Sequence, residues 1–583
     1  TTALEKQKDV FNIIDSCNSL YALRMLNSNR RDVRRYIEVV TSKIDASVEA
    51  FNNQSIGTSL YGLQNCSCKH KEVRSLIRLL ASRISASRDI LLPEHIAGAL
   101  YGLRGMSSES WEVRSLLSAL TVKISQSSGM FGSREMSNAL YGLKGMNSSH
   151  KEVRDIIAAL TERLKTVPLP VRNVQHISSA LYGLQSLSSD HREVTSLLQV
   201  LNDKFRTCRE PFDSQAVGNA LIGFRNFSNR HVEVRRLFKT VTNCVLSCTQ
   251  PLNLESVCSA FSGLRRMSSV DESMSKLLNY LASQMNDQSP HMYHAENALS
   301  SVCGALYGLR RFGSDETAVR SALATITRKL QVALEPLSSQ EANTGAPQTK
   351  DIVTPHCFAA AVNGLRRMKS CDGEVREALR TITGMLPFLR GKLHPQEVYL
   401  VLNGLQGMSS EDTEVQVLLK ALTTRLRSPQ GSMNALQASQ SLLGLRSMSS
   451  DNEDVIHFLA AVNENLSGFQ GVFHPYDVLA ASHGISNMSS DHDEVRKTVL
   501  HLSDMIRSSE GVYDDDTVST VLRNLEGMRL EHKESCILVG ALLDKIKPCV
   551  NTVDSDVQMP KSKAAAEKIA ELNKGWESIP EMV

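Results

Sequence analysis

The chain has 583 residues, with 65 Lys+Arg against 62 Asp+Glu for a net charge of +3, and is 42% hydrophobic and 5% aromatic. This balance excludes a polyacidic or polybasic tail protein and bulk disorder. It also gives no global pull on nucleic acid, so any such attraction must come from local placement. No run of about 18 uncharged apolar residues occurs, so no membrane insertion is expected; the opening Thr1-Thr2-Ala3-Leu4 starts no apolar signal region, and the 12 scattered Cys fit a reducing compartment.

Self-similarity sets the organisation. The string Leu100-Tyr101-Gly102-Leu103-Arg104-Gly105-Met106-Ser107-Ser108 recurs over residues 140–148 with Lys144 and Asn147 as the differences, and in further altered form over 181–189. With its glycine as phase marker, the chain reads Ala22, Gly62, Gly102, Gly142, Gly183, Gly223, Gly263, Gly308, Gly364, Gly404, Gly444, Gly484 and Asn524, which makes 13 copies. The spacing is 40 or 41 except for two steps of 45 and 56. A fixed period of this size is the mark of a solenoid.

Each period predicts two helices. In the third copy Ile96, Ala99, Leu100, Leu103 and Met106 form the apolar stripe of a short A helix starting near Pro93. The pair Ser107-Ser108 ends it, and Val113, Leu116, Leu117, Leu120 and Ile124 form the stripe of a B helix. Ser149-His150-Lys151-Glu152 and Asp190-His191-Arg192-Glu193 read as capping boxes at B-helix starts. Gly102 inside a helix costs about 1 kcal/mol relative to Ala, which points to close approach of another backbone; the B helix is the expected neighbour. The two long steps predict loop insertions near 287–296 and 335–355, both between a B helix and the next A helix.

The expected fold is thus all-α: a solenoid of about 13 tandem 40-residue helical hairpins over residues 1–553, wound as a right-handed superhelix. Residues 554–583 form a tail in which Lys561–Trp576 predicts a short charged helix, with Trp576 as a docking residue for the end of the stack or a partner.

No Walker-type, HExxH, GxSxG or dinucleotide fingerprint occurs, so no enzyme and no cofactor are expected. Cys66-Ser67-Cys68-Lys69-His70 is the densest set of soft ligands. It has no second pair at matching spacing, so it reads as a turn with reduced thiols rather than a metal site.

The informative variation lies on the A helices. Positions four before, one before and two after the phase glycine share a surface line beside the core stripe. The first row is mostly small and polar and includes Asn138 and Asn219. The second includes Tyr61, Tyr101, Tyr141, Tyr182 and Tyr307. The third runs Arg24, Gln64, Arg104, Lys144, Gln185, Arg225, Arg265, Arg310 and Arg366 before continuing through Gln406, Arg446, Ser486 and Glu526. Stacked copies would align these as parallel rows: cations for phosphates, Tyr for stacking, amides and hydroxyls for base edges of single-stranded RNA. The same pattern has a structural reading, in which cations favour a helix's last turn and Tyr packs between repeats. A further Arg row opens the B helices at Arg34, Arg74, Arg114, Arg154, Arg235, Arg320, Arg376 and Arg496. It reads as structural, with the Glu two residues earlier or nearby carbonyls as partners.

Carried by LYGLRGM-SS and EVRxLLxxL, residues 1–553 resemble the organellar helical-repeat RNA-binding families, the octotricopeptide and heptatricopeptide types and more distantly the pentatricopeptide type. The period here is slightly longer than the octotricopeptide one, and that type's Pro-rich signature is missing. The resemblance implies a non-catalytic, RNA-binding protein of a mitochondrion or chloroplast, acting in organellar RNA metabolism or as an RNA-stabilising subunit of a ribosome-like assembly. Its partners would be single-stranded RNA or rRNA segments and protein subunits of a larger assembly. The alternative is a protein–protein interaction scaffold in a large organellar complex, toward which Leu400, Leu443, Ser486 and Glu526 lean.

Overall fold

A computed structural model describes residues 12–171, 173–208, 210–287, 295–344, 353–427, 431–511, 513–529 and 531–550. The predicted tail helix and Trp576 lie outside these residues, as does the first insertion apart from its edges. The chain forms two compact units, Thr1–Ser289 and Pro290–Val583. Each is an all-helical stack of A/B hairpins, an α-solenoid architecture.

In the first unit the A helices are Ile13–Tyr21, Asn53–Gly62, Pro93–Gly102, Ser133–Tyr141, Val174–Tyr182, Ser214–Ile222 and Leu254–Gly263. The B helices are Arg31–Ala46, Lys71–Ala86, Trp111–Gln126, Lys151–Leu164, Arg192–Thr207, Val232–Leu246 and Glu272–Asn286. Each A helix packs on the next A helix and each B on the next B, giving two layers with the core between them. The predicted stripe residues Ile96, Leu100, Leu103, Val113, Leu116, Leu117, Leu120 and Ile124 are all fully buried. Each large aliphatic among them contributes about 1.5–3 kcal/mol. The second unit repeats the plan from Ala295–Gly308 to Lys533–Val550. Its B helix Thr317–Thr344 continues through Pro336 into the segment whose composition predicted a loop.

The phase glycine has a different neighbour from the one expected. A Cβ at Gly102 would run into the carbonyl of Leu60, on the preceding A helix, and not into a B helix. The same holds at Gly62 against Leu20, Gly142 against Leu100, Gly183 against Leu140, Gly404 against Val362 and Gly444 against Leu402. The glycine is therefore what lets consecutive A helices approach backbone to backbone. In the first copy this position is held by Ala22, which is exposed.

The Ser-Ser pair is a second inter-repeat device. In the first unit the buried second serine accepts a backbone N–H from the next repeat: Ser67 N–H to Ser28 Oγ, Asn147 to Ser108, Ser188 to Ser148 and Ser228 to Ser189, all 2.8–2.9 Å. The second unit has the same rungs at Ser314, Ser370, Ser410, Ser450 and Ser490, at 2.7–3.0 Å. Each satisfies a loop donor that burial would otherwise leave without a partner.

The B-helix starts also differ from expectation. His150 and His191 are the N-caps and neither makes a side-chain cap bond, so the two predicted capping boxes do not form there. The Arg row takes over that loop instead. One terminal nitrogen of Arg34, Arg74, Arg114, Arg154, Arg235, Arg320 and Arg496 donates to two successive carbonyls of the preceding A–B turn at 2.5–3.2 Å. Where a glutamate joins it belongs to the following repeat, as in Arg74–Glu112 at 3.6 Å and Arg320–Glu374 at 3.9 Å. Carbonyls of the turn offset the unfavourable position of a cation in a first helical turn.

Candidate functional site

Close A-helix packing brings the second row into contact. Tyr21, Tyr61, Tyr101, Tyr141 and Tyr182 form a continuous stacked ladder, with ring centroids 5.8, 5.7, 5.6 and 5.4 Å apart and interplanar angles of 17–25°. Offset stacking of this kind contributes about 0.5–1.5 kcal/mol per pair. The ladder stops at the buried Ile222. Inside it, ring faces meet neighbouring rings, which leaves edges, hydroxyls and the two ends for a ligand. Burial pushes the Tyr141 phenol up, with Tyr182 and Tyr101 adding to it.

The third row packs alongside. Cations lie over the rings of their own repeat: Arg24 over Tyr21 at 4.4 Å, Arg104 over Tyr101 at 4.7 Å and Lys144 over Tyr141 at 5.2 Å. The Arg104 guanidinium also donates to the Tyr101 hydroxyl, to the Gln64 carbonyl at 3.1 Å and to Asn65 Oδ1 at 2.9 Å. Arg265 repeats the last two bonds with Arg225 and Asn226. Burial, then the Arg104 charge, lowers the Lys144 ammonium. Arg225 and Gln185 are half-buried and Gln64 is buried. Arg104 and Arg265 therefore tie neighbouring repeats together, as the structural reading of this row expects.

The first row opens onto a groove of about 700 Å³. Asn138, Ser179, Asn219 and Ser259, the first-row residues of four consecutive repeats, line it with Tyr101, Tyr141 and Tyr182. The row-three cations are not in its wall; its lining includes one carboxylate, Glu255, and His176. His176 Nδ1 lies 3.0 Å from Ser133 Oγ, and burial, then Arg134, pushes its pKa down, which favours the neutral ring. The groove is thus walled by amides, hydroxyls and phenols. Gln175 and Gln215 also line it, one turn earlier on their helices, and belong to none of the three rows read from the sequence. Their signal was present: the position eight before the phase glycine holds Gln54, Glu94, Arg134, Gln175, Gln215 and Glu255, polar in every one of these copies.

In the second unit the rows change character. Arg310 lies over Tyr307 at 4.3 Å and also donates to its hydroxyl. Asn363 and Asn403 then occupy the Tyr position and are buried, donating to the Leu400 carbonyl at 2.7 Å and the Tyr399 hydroxyl at 3.3 Å. Leu400 is itself buried, whereas His483, Arg523 and Glu526 are exposed. Arg366 and Arg446 converge on Gln406: Arg366 Nε donates to its side-chain oxygen and Arg446 Nε to its carbonyl, both at 3.0 Å.

The Cys66–His70 cluster has a structural explanation. Cys68 Sγ occupies the serine-rung position and accepts from Ser107 N–H at 3.3 Å, while burial pushes the Cys66 thiol up to about 11. Among the described residues no group of three His, Cys, Asp or Glu is placed to hold a metal ion, and no helix is long and apolar enough to cross a membrane.

No protein-family model matches the chain, and no curated protein matches it. Among known structures it is similar to yeast Rmd9p in complex with a 16nt target RNA, at 11% identity, covering 94% of this chain and 98% of that one with a TM-score of 0.34. It is also similar to a homology model of the full-length AP-3 complex in an intermediate open conformation, at 12% identity, covering 94% and 86% with a TM-score of 0.26. At these scores neither likeness carries over to function.

Proposed function

We propose that the A-helix face of the first unit binds single-stranded RNA, in organellar RNA metabolism or as an RNA-stabilising subunit of a ribosome-like assembly. The groove carries this reading: its variable amides and hydroxyls, Asn138, Ser179, Asn219 and Ser259, recur once per repeat on a constant frame and share one wall. Base edges would meet this row. Phosphates would meet the charge of Arg24, Arg104, Lys144, Arg225 and Arg265 across the Tyr ladder, with Gln64 and Gln185 as uncharged members of that line.

Spacing favours a single strand. Rings of successive repeats are 5.4–5.8 Å apart, whereas stacked nucleotides of one duplex strand advance about 3.4 Å. Register of one base per repeat therefore needs an extended strand. Fluorescence anisotropy of the full chain with single-stranded and duplex RNA of about 15 nucleotides tests this across a salt series. Tighter binding of the single strand, weakened by Asn138→Ala with Asn219→Ala, supports it; no binding at low salt overturns it.

One observation favours a protein scaffold instead. The groove wall is uncharged but for Glu255, and Arg104 and Arg265 donate to carbonyls of the preceding repeat. An extended polypeptide would suit such a wall, and absence of RNA binding would shift the assignment to it.

A further inference from the structure

Arg446 follows the rule of its row and reaches back one repeat, its Nε donating to the Gln406 carbonyl at 3.0 Å as Arg104 and Arg265 do toward Gln64 and Arg225. Arg366 breaks the rule: it reaches forward, its Nε donating to Gln406 Oε1 at 3.0 Å. Gln406, 4% exposed, thus holds two guanidiniums from the repeats on either side of its own. It stands where most copies of this row carry a cation, and a third guanidinium there would repel both.

The neighbourhood is unusually positive. Burial lowers Arg366, opposed by Tyr399 and reinforced by the charges of Arg367, Arg310 and Arg446; burial and Arg367 lower Arg446. Arg367 is exposed and has a φ of 76°, and among the described residues it alone combines positive φ with a Cβ. A left-handed backbone at a non-glycine residue costs of order 1 kcal/mol or more. Here it occurs at a residue whose charge bears on two arginines already repelling each other.

We propose that Arg310, Arg366, Arg367 and Arg446 form a phosphate-binding site on the second unit, with Gln406 as the residue that positions Arg366 and Arg446. A guanidinium held at Nε keeps its terminal N–H groups in a fixed plane, the geometry that suits phosphate oxygens. A phosphate would cancel the mutual repulsion. That the phosphate belongs to RNA, in its backbone or at its end, rests on the proposed RNA-binding function; affinity for phosphate itself does not.

The test uses the full chain, with inorganic pyrophosphate as the probe, followed by thermal denaturation and calorimetry. Wild type should bind and melt at higher temperature as pyrophosphate is added. Arg367→Gln with Arg446→Gln should weaken pyrophosphate binding about tenfold or more, whereas the charge-matched pair Lys392→Gln with Arg507→Gln should leave it unchanged. Gln406→Glu offers a check that does not depend on a weakened fold: its carboxylate should raise the melting temperature without ligand and abolish the pyrophosphate-dependent rise.

For RNA, the Arg double variant should make the salt dependence shallower by about 0.7 for each phosphate that is no longer neutralised. Strands with a 5′-phosphate and a 5′-hydroxyl then separate a terminal from a backbone contact. Pyrophosphate binding that is absent, or equal in wild type and the Arg variant, overturns the site, even if the Asn138/Asn219 variant shows that RNA binds the first unit. Pyrophosphate binding abolished in the Arg variant, with no RNA bound by wild type, upholds the site and sinks the RNA reading.

Discussion

Gly102 lies against the carbonyl of Leu60, one repeat earlier, with no room between them for a methyl group. Gly102→Ala should therefore push two A helices apart, at a cost of about 1–3 kcal/mol for overpacking. Hydrogen exchange should show faster opening across Asn53–Gly62 and Pro93–Gly102, with distant repeats unaffected because a solenoid's coupling is local. Ala22→Gly, at the same phase but at an exposed position, should cost at most the helix propensity of about 1 kcal/mol and leave exchange in the other repeats unchanged. Equal effects would mean that the glycine is not a packing requirement.

Tyr141 stacks on Tyr101 and Tyr182 at once. Tyr141→Ala removes both ring stackings, destabilising the chain by about 1–3 kcal/mol, and should reduce the near-ultraviolet circular dichroism of the coupled ladder. Tyr141→Phe should keep the stability. A Phe variant as unstable as the Ala one would place the contribution in the hydroxyl.

Ser148 Oγ accepts the Ser188 N–H at 2.9 Å. Ser148→Ala leaves that donor buried without its acceptor and should cost about 1–3 kcal/mol in urea denaturation. Cys68→Ser replaces a weak sulfur acceptor by the residue used in other copies and should stabilise the chain. Destabilisation by Cys68→Ser would show that the thiol does more than close the rung.

The Cys357 thiol near the start of the A helix Pro355–Gly364 is held down to about 5, from an ordinary value of 9.0, chiefly by a hydrogen bond from Cys303 acting against burial, with Thr354 and Ser300 adding theirs. A depressed value means that the unfolded chain binds more protons between about pH 5 and pH 9. The thiolate's contribution is therefore complete above the unfolded value and is lost as pH falls through about 5. Stability of wild type relative to Cys357→Ser should rise with pH across that window. A difference that stays flat with pH would show that the thiol is protonated throughout.

The hairpins and their core were legible because apolar spacing sets which face is buried: every stripe residue named in the third copy is buried. Partners were less legible. Periodicity gives Gly102 a phase but not the identity of the backbone it meets, and a preceding A helix and a B helix impose the same demand for a missing Cβ. The serine rung was hidden for a similar reason, since Ser107-Ser108 alone reads as a helix break and the donor lies a whole repeat away. Capping boxes at Ser149 and Asp190 failed because the helices start one residue later, with His150 and His191 at the N-cap positions and neither making a side-chain cap bond. The Asn138 and Asn219 row could be read from the alignment of copies. Its enclosure as a groove, and the forward reach of Arg366 to Gln406, depend on how near neighbouring repeats come.

Under the proposed function, first-row residues read bases in the first-unit groove. The most direct test is selection from a random single-stranded RNA pool by wild type and by a variant exchanging Asn138→Ser with Ser179→Asn. A preference that changes at two adjacent nucleotides while overall affinity holds is the predicted result. Unchanged preference, or no enrichment over input by wild type at low salt, would contradict the account.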